Sequence, residues 1–221
     1  GVRIERPAKT EVVIHGAGMH GLRAPPSAID LGNSGTAMRL MMGLLSAQSF
    51  PVELTGDESL CSRPMERVAK PLRGMGASIE TTDGKPPVHL AGKAGLRGIE
   101  YVSPIASAQV KSAILLAGLY AEGETAVVEP AVTRDHTERM LKAFGVNVDV
   151  SGLRSAVQGG AELQAVDIDV PADISSATFP LAAGCISATG PVVIHDVGIN
   201  PSRTGILDIL SLMGADIRLS E

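Results

Sequence analysis

An internal repeat constrains this chain more than any other feature. The segment Leu72-Arg73-Gly74-Met75-Gly76-Ala77-Ser78-Ile79-Glu80 returns as Leu141-Lys142-Ala143-Phe144-Gly145-Val146-Asn147-Val148-Asp149. It returns again as Leu210-Ser211-Leu212-Met213-Gly214-Ala215-Asp216-Ile217-Arg218, so the central glycines are 69 residues apart each time. A period of this length means that one supersecondary unit is reused and that neighbouring units bury their apolar faces on one another. Each copy reads as the end of an amphipathic helix, a glycine closing it in the left-handed conformation, and a strand alternating apolar and polar residues. Upstream of each lies another helical run, over 36–47, 107–121 and 175–187. Between the two helices stands a β-branched strand: Val52-Glu53-Leu54, Ala126-Val127-Val128 and Val192-Val193-Ile194. The fold class expected is α/β (α+β), built from βαβαββ units of about 69 residues with helices packed under sheets. Gly1 to Glu5 aligns with Gly76 to Glu80, and the last residues stop just past Gly214, so both ends fall at one phase of the repeat. The expectation is a fragment of a longer repeat protein.

Composition narrows the function classes. Of 221 residues, 44% are hydrophobic, with no Trp, two Tyr and three Phe, so the core must be built from Leu, Ile, Val, Met and Ala. Lys and Arg number 19 against 24 Asp and Glu, a formal charge of −5 with no dense basic stretch, which argues against nucleic acid as a partner. The two cysteines, Cys61 and Cys185, and the five histidines lack metal-ligand spacing, so neither a metal nor a cofactor is expected. Apolar runs such as Ala113 to Leu119 fall short of membrane-spanning length, and the N-terminus has no basic region followed by an apolar signal core; a cytoplasmic protein with free thiols is expected.

Several motifs carry chemistry. Gly16-Ala17-Gly18-Met19-His20-Gly21 follows an apolar strand and formally satisfies GxGxxG. Leu22-Arg23-Ala24-Pro25-Pro26 cannot continue as the helix a dinucleotide site needs, so the motif reads as a strand-terminating turn. The run Leu31-Gly32-Asn33-Ser34-Gly35-Thr36 leads directly into a strong helix. Its first amides and the positive end of the helix dipole suit a phosphate or carboxylate, and a plain N-cap with a tight turn is the equal alternative. Arg63, Arg134 and Arg203 recur just ahead of helices, where a guanidinium can join the helix terminus in holding an oxyanion. The simpler reading pairs each with a nearby acid, as Arg134 with Glu138. Ser107-Ala108-Gln109 opens the middle repeat's long helix, and Gln109 at its mouth is placed to bond a hydroxylated ligand.

Taken in order, GNSGTAMRL (32–40), SRPMERVAKPL (62–72), ASAQVKSAILLAGL (106–119), TRDHTERML (133–141) and SSATFPLAAG (175–184) resemble the 5-enolpyruvylshikimate-3-phosphate synthases. The Ser-Ala-Gln and Thr-Arg-Asp-His-Thr-Glu forms are similar to the bacterial class II branch. The resemblance covers essentially the whole chain. It implies two domains of three βαβαββ-type units each, with a cleft in which the enolpyruvyl group of phosphoenolpyruvate passes to the 5-hydroxyl of shikimate-3-phosphate. Carried over position by position, Gly35 and Arg63 would hold phosphoenolpyruvate, with Asn33 nearby. Ser107, Ala108 through its backbone, and Arg134 would hold the phosphate of shikimate-3-phosphate, while Gln109 would touch both ligands. Glyphosate would occupy the phosphoenolpyruvate site of the complete enzyme. The resemblance makes that enzyme sensitive, and the methyl of an alanine at Gly35 is expected to project toward the ligand.

The resemblance places a domain boundary near Val170, with 1–170 as most of the N-terminal domain and 171–221 as the first repeat unit of the C-terminal domain. The remainder of the chain would be needed to complete the cleft, including its proton-moving acids. No catalytic residue is therefore assigned here, and these 221 residues alone are expected to be inactive. Two alternatives stand beside this reading. One is UDP-N-acetylglucosamine enolpyruvyl transferase, favoured only by Cys61 ahead of Arg63, where the spacing is too short. The other is a non-catalytic repeat module binding a phosphorylated ligand.

Overall fold

Two short parallel strands, each running into a helix, open both complete repeats. The structure, a computed structural model, describes residues 1–92, 95–187 and 189–220, in two compact units, 1–165 and 166–221.

The first unit begins with an antiparallel hairpin of β1 (Arg3–Ala8) and β2 (Glu11–His15). β2 ends at His15, and residues 16–21 form a turn with no helix after it, as the proline-rich continuation predicts. The first full repeat then runs β3 (Ile29–Asp30), α1 (Gly35–Leu45), β4 (Val52–Thr55), the short α2 (Glu58–Cys61), α3 (Glu66–Gly74), β5 (Ile79–Thr82) and β6 (Lys85–Leu90). The second runs β7 (Glu100–Val102), α4 (Ala108–Gly118), β8 (Glu124–Val128), α5 (His136–Ala143), β9 (Val148–Ser151) and β10 (Arg154–Gln158). The sheets have the same order, β3-β4-β6-β5 and β7-β8-β10-β9, with the first two strands of each parallel and the rest antiparallel. The βαβαββ unit read from the period is thus present twice.

Helix ends explain why the period is visible. Gly76, Gly145 and Gly214 all take positive φ, at 101°, 82° and 94°. In each case the glycine amide donates three residues back and the next amide five residues back, as in Gly76 to Arg73 and Ala77 to Leu72. This pair of bonds satisfies the last helical carbonyls, and only glycine adopts the conformation at no steric cost.

The core of the first unit is aliphatic, with Met38, Met42, Leu54, Met65, Leu72, Ile114, Leu115 and Val127 buried. α1 and α4 pack so closely that a Cβ on Gly43 would lie 2.1 Å from the carbonyl oxygen of Ala113. That approach sets the two helices side by side.

The second unit holds α6 (Ile174–Ser187) and α7 (Gly205–Leu212). Here the sequence expectation fails in part, because neither Val192-Val193-Ile194 nor the residues after Gly214 form a strand, and only a parallel bridge joins Ala172 to Val197. A strand exists only where a neighbour takes its backbone groups. No described segment pairs with these two. No helix among the described residues is long and apolar enough to cross a membrane.

Candidate functional site

Parallel strands send their following loops to the same sheet edge, and that is where the first cluster forms. The amide of Leu31 donates to Thr55 and the amide of Asp57 to Gly32, both at 3.0 Å, so the loop after β3 lies against the loop after β4. The first loop ends in Ser34, whose hydroxyl caps α1 by accepting from the Ala37 amide at 3.2 Å. From the second loop Asp57 caps α2, accepting from the Leu60 amide at 2.7 Å. The other Asp57 oxygen takes the Asn33 side-chain amide at 2.7 Å. The Asn33 bond first, and then the Leu60 amide, hold the Asp57 carboxyl below the usual aspartate range.

Arg63 reaches back across this edge. Its guanidinium donates to both the side-chain and backbone oxygens of Asn33 and to Ser59 Oγ at 3.2 Å. Asn33, Gly35 and Arg63 are therefore brought together. A Cβ on Gly35 would meet Arg63 Nη1 at 3.1 Å and Arg39 Nη1 at 3.0 Å. The space beside Gly35 is thus bounded by two guanidinium groups.

Arg39 is the residue the sequence reading missed. One turn into α1 and only 8% exposed, it donates to Gly35 O at 3.3 Å and to Pro64 O at 3.4 Å. It also donates to Gln109 Oε1 at 2.8 Å, while Gln109 Nε2 donates to Thr36 Oγ1 at 2.7 Å. Gln109 thus bridges the starts of α1 and α4. Burial first, then the like charges of Arg67 and Arg63, pull Arg39 below the usual arginine value, and its buried Nε has no partner. Like charges gathered at a helix N-terminus favour an anion, although the Asp57 carboxylate already lies within electrostatic reach of Arg63.

The second cluster repeats the plan. Ser107 caps α4, its hydroxyl accepting from Val110 N at 3.5 Å, and Ala108 and Gln109 form the first turn. Arg134 lies exposed in the loop between β8 and α5. The suggested Arg134–Glu138 pair does not form. Glu138 is buried against Lys111 Nζ at 2.7 Å, and it is Arg139 that pairs in α5, with Asp135 at 2.7 Å. Cys61 is free, and its Sγ lies 3.4 Å from the carbonyl of Gly56 as donor to it.

Comparison with known proteins agrees with this architecture. The profile of the EPSP synthase (3-phosphoshikimate 1-carboxyvinyltransferase) family matches residues 1–221. The 3-phosphoshikimate 1-carboxyvinyltransferase of Methylococcus capsulatus is 57% identical over 220 residues, covering 99% of this chain and 50% of the relative. That of Legionella pneumophila is 53% identical over 219 residues, covering 99% and 51%. A solved structure of EPSP synthase from Acinetobacter baumannii superposes with a TM-score of 0.91 at 57% identity, over 100% of this chain and 50% of that one. The chain spans about half the length of the relatives it matches. With the profile matched over 1–221 and two βαβαββ units carrying the matched motifs, this chain belongs to the EPSP synthase family.

Proposed function

We propose that the complete protein transfers the enolpyruvyl group of phosphoenolpyruvate to the 5-hydroxyl of shikimate-3-phosphate, releasing phosphate, as a step of aromatic amino-acid biosynthesis. The names of its relatives support this reading. The observation that carries it is the Arg39–Gln109–Thr36 bridge, which sets two capped helix N-termini and the Arg63 guanidinium around one space. Two anions have to be held side by side in this reaction, and helix N-termini with arginines supply that without a metal ligand set. Gly35, Arg63 and Asn33 serve phosphoenolpyruvate. Ser107, the Ala108 amide and Arg134 serve the phosphate of shikimate-3-phosphate, and Gln109 lies between the two. Glyphosate competes for the first of these sites. Residues 1–170 form most of one domain and 171–221 begin the next, with the acids that move protons supplied by the rest of the cleft.

Calorimetry on the full-length protein tests the reading. Shikimate-3-phosphate should bind, UDP-N-acetylglucosamine should not, and Arg134→Ala should weaken the binding. Tight binding of the nucleotide sugar, or equal affinity for inorganic phosphate and shikimate-3-phosphate, would overturn it. The UDP-sugar alternative gains nothing from Cys61, whose thiol is turned to the Gly56 carbonyl.

A further inference from the structure

α4 carries a buried lysine that the proposed chemistry does not use. Lys111 is 3% exposed and lies 2.7 Å from Glu129 Oε2 and 2.7 Å from Glu138 Oε1, both acids themselves buried. Glu129 directly follows β8, and Glu138 is in the first turn of α5, so the two acids bracket the loop that carries Arg134. Within that loop Thr133, next to Arg134, donates to Glu129 Oε1 at 2.6 Å. The hydroxyls of Ser112, on α4, and Thr137 meet at 2.6 Å, and Ser155 donates to Glu138 Oε1 at 3.2 Å. The loop is therefore fastened to α4 from both of its ends.

Stability does not account for the arrangement. Removing three charges from water offsets most of what their attraction returns, and apolar residues of similar volume often hold such a contact as well or better. What the charges add is direction and register, because one ammonium reaches an oxygen of each carboxylate in a single placement of the loop, while the buried Glu138 Oε2 is left without a partner. Burial is the largest influence on Lys111 and acts against its charge, but the hydrogen bonds and charges of Glu129 and Glu138 together raise its pKa above the ordinary lysine value. The ammonium stays charged across the physiological range.

We infer that Lys111, Glu129 and Glu138 form a positioning device for Arg134, fixing its guanidinium relative to the Ser107–Ala108 turn so that the two can hold one phosphate. The inference rests on the proposed site reading. The three residues touch no ligand; they act through the loop.

The test uses the full-length protein and reads shikimate-3-phosphate affinity together with the Michaelis constants of both substrates. Thr133→Val removes the loop's tie to Glu129 without changing side-chain size, and Lys111→Met removes the hub; each is made alone and combined with Arg134→Ala. Each alone should weaken shikimate-3-phosphate by about tenfold and change the phosphoenolpyruvate constant by less than about twofold. In the Arg134→Ala background neither should cost more, since residues acting through one group are not additive. If Lys111→Met does not fold, Thr133→Val carries the comparison. Unchanged shikimate-3-phosphate affinity in Thr133→Val, or a full further loss on top of Arg134→Ala, would overturn the inference while leaving the site reading in place. Arg134→Ala without effect would overturn the site reading itself, and this inference with it.

Discussion

An alanine at Gly35 is the most direct probe of the proposed phosphoenolpyruvate end of the site. The added methyl would lie 3.0 Å from Arg39 Nη1 and 3.1 Å from Arg63 Nη1. Comfortable contact begins near ~3.5 Å, so each guanidinium has to withdraw by roughly 0.5 Å. The backbone adds no cost, because Gly35 opens a regular helix turn and does not have positive φ. Arg63 is only half-buried and can swing, whereas Arg39 is enclosed and tied to Gln109 at 2.8 Å. Its retreat must stretch that bond or drag Gln109 along. Two consequences follow from the same displacement. Since only side-chain tips yield, folding stability should fall by less than about 1 kcal/mol. Since those tips are the proposed anion contacts, ligands should lose more, about 1–3 kcal/mol by the usual cost of overpacking. Glyphosate is longer than phosphoenolpyruvate and has less room to shift, so its inhibition constant should rise more than the Michaelis constant of the substrate, by about tenfold in ratio for ~1.4 kcal/mol of difference. The assay is steady-state kinetics of the full-length enzyme and its Gly35→Ala variant, with glyphosate competing against phosphoenolpyruvate, beside thermal melts. A parent already resistant, or a variant with a lower melting temperature and unchanged kinetic constants, would refute the placement of Gly35 at the ligand.

Arg63→Ala should raise the Michaelis constant for phosphoenolpyruvate and spare shikimate-3-phosphate, with loss of a charge-assisted contact worth about 2–3 kcal/mol; equal effects on both would mean that Arg63 organises the loops instead. Arg39→Lys keeps the charge but lacks the planar fork that spans Gln109 Oε1 and Pro64 O, so phosphoenolpyruvate affinity should drop by about tenfold in direct titration. Gly43→Ala puts a methyl 2.1 Å from the Ala113 carbonyl, a backbone atom that cannot yield cheaply, and chemical denaturation should show a loss of about 3 kcal/mol or more. Glu66 is held below its ordinary value of 4.5 by the hydrogen bond from Arg73 and then that from Thr81. A lowered carboxylate stabilises the fold above its unfolded pKa, and the contribution disappears as pH falls through the lowered one. Glu66→Gln should therefore cost less than about 1 kcal/mol near neutrality, the pair being substantially exposed, and the difference from the parent should vanish in melts at strongly acid pH.

What was legible in the sequence is what local chemistry encodes. The closing glycines at 76, 145 and 214, the capping serines Ser34 and Ser107 and the β-branched strands before the second helix of the first two repeats are signals carried by the residues themselves and their near neighbours. The repeat shows these signals several times, which is why the unit could be counted. Arg39 escaped because its meaning depends on Gln109, a partner 70 positions away that only the close approach of α1 and α4 brings within reach. Lys111 escaped for the same reason, and Glu138 was paired with the wrong cation because helix spacing favours a neighbour at i+4 over a buried partner on another helix. The missing strands at 192–194 and after Gly214 show the converse case. β-propensity is realised only against a neighbour, and none lies among the described residues.

The recurrence of an arginine before each second helix has a geometric origin. In the first repeat β3 and β4 are parallel neighbours, so the start of α1 and the loop bearing Arg63 share one edge, and the guanidinium reaches Asn33 beside the α1 N-terminus. In the second, β7 and β8 are paired in the same way, and the amide of Ser103 donates to Val128 O at 2.8 Å, setting the segment ahead of α4 beside the segment that leads to Arg134. In the second unit a parallel bridge joins Ala172 and Val197, and there the Arg203 guanidinium donates to Ser175 Oγ in the first turn of α6. One supersecondary plan thus delivers a cation to a helix N-terminus in the first and third copies, and in the second sets the segment leading to Arg134 beside the segment ahead of α4, because parallel strands carry their following loops to the same end. Function then differs with what surrounds each cation. Arg63 and Arg67 both lie within electrostatic reach of Arg39, and the Asp57 carboxylate within reach of Arg63, so cations outnumber this acid among the coupled groups. Arg203 has the carboxylate of Asp173 at 4.0 Å. A single repeat plan can therefore set its arginine among further arginines in one copy and against an acid in another, and the balance of cations to acids at the edge is what differs.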